Sequence, residues 1–132
     1  MKRNLRQLAL ALMLVITSVT IGCWGTSIEG NLEIRPAPIH EVQVNVTESQ
    51  PPQVFIYIRG GLADSCTKFH DITMERKGNT INIKVTTERP RGEQCLQVYS
   101  YFDKNLKLEN IFVSGETYIF QVNDNVTTVT IP

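Results

Sequence analysis

The sequence predicts an all-β fold, an antiparallel sandwich of about seven strands over residues 39–132, with a small β-barrel as the alternative. Three observations predict it. From residue 39 onward apolar and polar residues alternate with a period of two, and helical periodicity is absent. Gly, Pro and Asn turns break that alternation at intervals of roughly 8–16 residues. Two cysteines, Cys66 and Cys95, fall beside loops, where one bond between them would tie two connections of a small domain.

The chain opens with a basic segment, Met1 to Arg6, followed by an uncharged apolar run from Leu8 to Ile21. This is the pattern of a secretory signal peptide over residues 1–22. The run is about 14 residues, short of the roughly 20 that a spanning helix needs. The stretch Val19-Thr20-Ile21-Gly22-Cys23 resembles the bacterial lipoprotein box, in which a small residue precedes a cysteine that is diacylated on sulfur and becomes the first residue. That resemblance implies lipidation of Cys23 and a membrane partner reached through the lipid. Thr20 departs from the Leu usual at that place, and ordinary cleavage after Gly22 or Thr20, giving a soluble secreted protein, is the alternative. Residues 23–38 mix Gly, Ser, Asn, Pro and charge, the composition of an anchor and tether. Leu32 and Ile34 offer a second reading there, a short edge strand ended by Pro36 and Pro38.

Within the domain, Val42, Val44 and Val46 alternate with Glu41, Gln43 and Asn45 as a half-buried strand, which Pro51 and Pro52 close off. Val54 to Ile58 is apolar on both faces, as a central strand is, and Gly60-Gly61 is expected to end it. A third strand near Phe69–Arg76 and a fourth over Thr80–Thr87 form a hairpin around Lys77-Gly78-Asn79. A polar loop, residues 88–94, leads to a fifth strand expected at Cys95–Phe102. In the last third, Phe112 to Asn123 resembles the glycine turn into the penultimate strand of fibronectin type III and immunoglobulin-like sandwiches. The resemblance implies that Tyr118 is the structural corner, its hydroxyl bonded to upstream backbone. Val126–Ile131 then returns as the last strand.

Three cysteines are an odd number for an exported chain. A lipid on Cys23 leaves Cys66 and Cys95, 29 residues apart, as a disulfide. Two buried free thiols are the other reading. Residues 61–69, 76–81 and Cys95 also look like a group of small bacterial exported or lipoprotein-type β domains without an assigned activity, which supports the β fold and the bond and carries no function.

Charge and chemistry narrow the function classes. The chain has 13 basic and 13 acidic residues. Loss of Lys2, Arg3 and Arg6 with the leader leaves ten against thirteen, a net of about −3 with no footprint for nucleic acid. His40 adjoins the prolines, while His70 and Asp71 are strand neighbours that point to opposite faces. No nucleophile elbow, zinc helix pair or phosphate-cradling loop occurs. Asp64, Asp71 and Glu93 lack regular calcium-ligand spacing. The expectation is a domain without catalysis, metal or cofactor. It is read as a membrane-anchored envelope protein, on the extracellular or periplasmic side, that binds a protein or glycan partner. Leu62, Asp64, Arg89 and Arg91 are its candidate contact residues. The alternative is a secreted protease-inhibitor-like module presenting a disulfide-tethered loop.

Overall fold

The computed structural model describes residues 31–109 and 111–132. Cys23 and the signal peptide expected over residues 1–22 lie outside the described residues. Eight strands form: β1 (Leu32–Pro36), β2 (Ile39–Val46), β3 (Val54–Leu62), β4 (Lys68–Lys77), β5 (Thr80–Pro90), β6 (Ser100–Leu108), β7 (Thr117–Val122) and β8 (Asn125–Thr130). They make two sheets, so the sandwich is the fold and the barrel is not. The smaller sheet runs β2-β3-β6, antiparallel throughout. In the larger sheet β4 pairs along β5 from Thr80 to Glu88. On the other edge of β5, β1 takes residues 86–90 and β7 takes residues 80–83, with β8 beyond β7.

The alternation read from the sequence is the alternation of burial. Val54, Ile56 and Ile58 face inward from β3, meeting Ile81, Ile83 and Val85 of β5 and Tyr118, Phe120 and Val122 of β7. Cations lie over aromatic rings at the margins of this core. The guanidinium of Arg76 lies over Phe112 and Tyr118, 5.4 and 5.2 Å from their centroids, and Lys104 Nζ lies 4.0 Å from that of Phe69.

Four features differ from the sequence expectation. Leu32–Pro36 is a paired strand, as the second reading of Leu32 and Ile34 had it, and Ala37 is buried, so folded structure begins before residue 39. Gly60-Gly61 does not end β3, which continues to Leu62. Without Cβ atoms these residues admit the Phe102 ring on one face and Tyr99 and His40 on the other, where a Cβ would collide. The fifth expected strand begins at Ser100 rather than Cys95, because the disulfide and Ser65 hold residues 95 and 96 to another loop. Finally, β5 and β7 pair in parallel, so the larger sheet is mixed.

That parallel pairing ends at a residue with a special task. Asn123, at φ 49°, sits where β7 leaves the edge of β5 and β1 arrives. Its side chain takes the place of a strand's peptide group. Val85 N donates to Asn123 Oδ1 (2.9 Å), and Asn123 Nδ2 donates to Val85 O (2.9 Å) and Ala37 O (2.8 Å). The carboxamide thereby closes the ladder across the gap between two half-length strands.

Candidate functional site

The register places Leu62, Lys68, Pro90, Ser100 and Leu32 at one end of the sandwich. Loops 63–67 and 91–99 cap that end, and the Cys66–Cys95 disulfide joins them, with Cα atoms 5.7 Å apart. Around it lies a polar clamp. Asp64 Oδ1 accepts from Cys66 N (3.0 Å), Thr67 N (2.9 Å) and Thr67 Oγ1 (2.8 Å), and Asp64 Oδ2 accepts from Arg89 Nε (2.7 Å). The Arg89 and Thr67 bonds hold the Asp64 carboxyl at about 2, below its ordinary 3.8. Leu96 N donates to Ser65 Oγ (2.9 Å), and Ser65 N donates to Leu96 O (3.0 Å). The two loops are therefore tied to each other by one covalent bond and two hydrogen bonds. Between them and β1 lies a cleft of about 420 Å³, lined by Glu33, Arg35, Thr67, Thr87 and the Asp64–Arg89 pair.

The sheets' outer faces differ in chemistry. The larger sheet presents Thr73, Glu75, Asn82, Lys84, Gln121 and Thr128, with the aliphatic Ile119 and Val126 among them and no aromatic ring at these positions. The smaller sheet presents Phe55, Tyr57 and Arg59 from β3, Tyr101, Asp103 and Asn105 from β6, and Glu41 and Gln43 from β2. Arg59 grips Asp103 with Nε (2.8 Å) and Nη2 (3.4 Å), while Tyr57 Oη donates to the same carboxylate (2.6 Å). The bonds from Arg59 and then Tyr57 lower the Asp103 pKa, and the bond to Asp103 raises that of Tyr57. Tyr99, Tyr101 and His40 pack edge to face, with centroids 5.2–5.7 Å apart, where this face meets the disulfide end.

The structure separates the residues that the sequence grouped as loop contacts. Leu62 is the last residue of β3 and Arg89 lies in β5. Asp64 is only 8% exposed and its oxygens are taken by Cys66, Thr67 and Arg89, while Arg89, its side chain 30% exposed, is paired to it on the wall of the cleft. Arg91 is exposed, its backbone N bonded to Asn31 O (2.8 Å). Cys66 and Cys95 form the disulfide. Tyr118 is fully buried and its Oη accepts from Val113 N (3.1 Å). His70 Nδ1 lies 2.8 Å from Glu88 Oε2, and among the described residues Asp71 and Glu93 do not cluster with Asp64. Sequence reasoning missed the Tyr99–Tyr101–His40 cluster. The available signal was Gly60-Gly61 inside an apolar strand, which marks a close approach as well as a turn.

Residues 56–131, more than half of the chain, match the ORF11 beta-sandwich domain family, and the chain belongs to it. It is 44% identical over 86 residues to an uncharacterized 10.2 kDa protein in the HgiCIIM 5' region of Herpetosiphon aurantiacus, covering 65% of this chain and 90% of that relative. Uncharacterized 10.2 kDa proteins in the HgiBIM and HgiEIM 5' regions of the same organism are each 43% identical over 76 residues, covering 58% of this chain and 92% of each relative. No solved structure matches.

Proposed function

We propose that this member of the ORF11 beta-sandwich family is a non-catalytic binding domain displayed outside the cytoplasm on a lipid at Cys23. Its contact surface is the outer face of the β2-β3-β6 sheet. The observation that carries the reading is the difference between the two outer faces. Tyr57, Arg59, Tyr101 and Asp103 form a preorganised aromatic and charged strip on one, while the other is mainly polar, with Ile119 and Val126 its exposed aliphatic residues. Aromatic rings and arginine are the side chains that dominate binding energy at interfaces. The disulfide and the Asp64 clamp keep the adjoining loops from losing entropy on binding.

The apolar leader, the Gly22-Cys23 junction and the odd cysteine count support the lipid. A photo-reactive phenylalanine analogue placed in cells at Gln43 or Asn105, on one face, and at Thr73 or Thr128, on the other, tests the contact surface. The expected result is discrete adducts from positions 43 and 105 alone. Equal yields from both faces, or adducts only from 73 and 128, would overturn it.

A further inference from the structure

Four of the exposed large apolar or aromatic side chains fall within six consecutive residues: Leu96 (71% exposed), Val98 (58%), Tyr99 (46%) and Tyr101 (57%). They are not on a loose loop. Cys95 is held by the disulfide, Leu96 by both of its bonds to Ser65, and Val98 N donates to Leu96 O (2.9 Å). Tyr99 Oη lies 2.5 Å from His40 Nε2, with its ring edge-on to Tyr101. The fold thus fixes an apolar, tyrosine-bearing rim at the disulfide end of the sandwich.

The same end receives the N-terminal segment. β1 begins opposite Pro90, and Asn31 O accepts from Arg91 N (2.8 Å) in the loop that carries the rim. Eight residue steps separate Asn31 from Cys23. Even fully extended they reach only about 28 Å. The opposite end, with the Gly78 turn and Ile111, is farther away by the ten residue steps of β5, about 33 Å.

We propose that the rim formed by Leu96, Val98 and Tyr99 rests in the lipid interface, so that the disulfide end faces the bilayer and the β2-β3-β6 face stands to its side. The inference rests on the lipid at Cys23 argued above. Three points on the molecule favour a lipid surface as the occupant. The short tether keeps this end nearer the membrane than the Gly78 end. Exposed Leu and Val beside Tyr is the mixture that settles at the boundary between acyl chains and headgroups. Arg91 adds a cation in the same loop, facing anionic headgroups, with Glu93 as the neighbouring acid. The lipid alone holds the protein on the membrane. The rim sets its orientation.

The test uses the mature lipidated chain in vesicles of equal parts phosphatidylethanolamine and phosphatidylglycerol, with lipids brominated high on the acyl chain as quenchers. The one tryptophan, Trp24, is replaced by W24F, and a reporter is introduced either as V98W in the rim or as I111W at the opposite end. Both positions are exposed, and a thermal melt confirms that each variant folds. The expected result is quenching at 98 that exceeds quenching at 111 by about twofold or more. Equal quenching, or stronger quenching at 111, overturns the proposed orientation while leaving the lipid intact. The mass of the same sample reads Cys23, and an unacylated cysteine would overturn the premise and this inference with it. As a second readout, backbone amides 96–99 of the unsubstituted chain should exchange more slowly on vesicles than in lipid-free buffer, and unchanged exchange would contradict contact.

Discussion

Replacing Asn123 probes the join that lets β1 dock on the sheet. In Asn123→Gly the φ of 49° is retained without strain, so the variant isolates the side chain. Three hydrogen bonds disappear, and the amide of Val85, a fully buried residue, loses its partner. At about 1 kcal/mol net per bond, the loss comes to about 3 kcal/mol. Asn123→Ala loses the same bonds and keeps the left-handed Cβ that Asn already carries, so it should be about 1 kcal/mol less stable than the Gly variant. Asn123→Asp keeps an acceptor for Val85 N but turns a carboxylate oxygen toward two carbonyls. Its folded-state pKa therefore rises, and its stability should recover as pH falls and the acid becomes a donor. Equilibrium urea unfolding at constant m-value measures all three. A Gly variant within about 0.5 kcal/mol of the parent would refute the ladder-closing role.

Other perturbations follow the clamp and the close packing. Asp64 has a depressed folded-state pKa of about 2, so its contribution to stability is complete above its ordinary 3.8 and is lost as pH falls toward 2. The melting temperature should drop across that window, and Asp64→Asn should flatten part of the drop; an unchanged pH profile in the variant would contradict the clamp. Removing the disulfide with C66A and C95A together opens a connection of 29 residues and should cost about 3–4 kcal/mol by urea unfolding. Gly61→Ala should leave the fold intact but push Tyr99 and His40 off the β3 backbone, seen as shifts of both ring resonances. Unmoved rings would show that the cluster does not depend on that glycine.

Much of this was legible in the sequence because β alternation is a local signal. The Val42–Val46 and Ile81–Val85 patterns give their strands and their buried faces directly. The parallel β5–β7 pairing is not local. It depends on where chain segments far apart meet, and neither strand carries a residue that announces its neighbour. The start of β6 was displaced for a similar reason, since the residues after Cys95 alternate like a strand but are captured by Ser65 and the disulfide. Asp64 and Arg89 were both singled out as contacts, but their pairing, 25 positions apart, was not visible in the sequence. The aromatic rim was hidden because His40 and Tyr99 stand 59 positions apart and meet only over the missing side chain of Gly61.

The most direct measurement is the intact mass of the protein extracted from the membrane fraction under non-reducing conditions. A lipid-displayed, disulfide-closed domain predicts residues 23–132 carrying acyl groups on Cys23, lighter by two hydrogens for the Cys66–Cys95 bond. A soluble chain with an unmodified Cys23, or one that retains residues 1–22, would contradict the account.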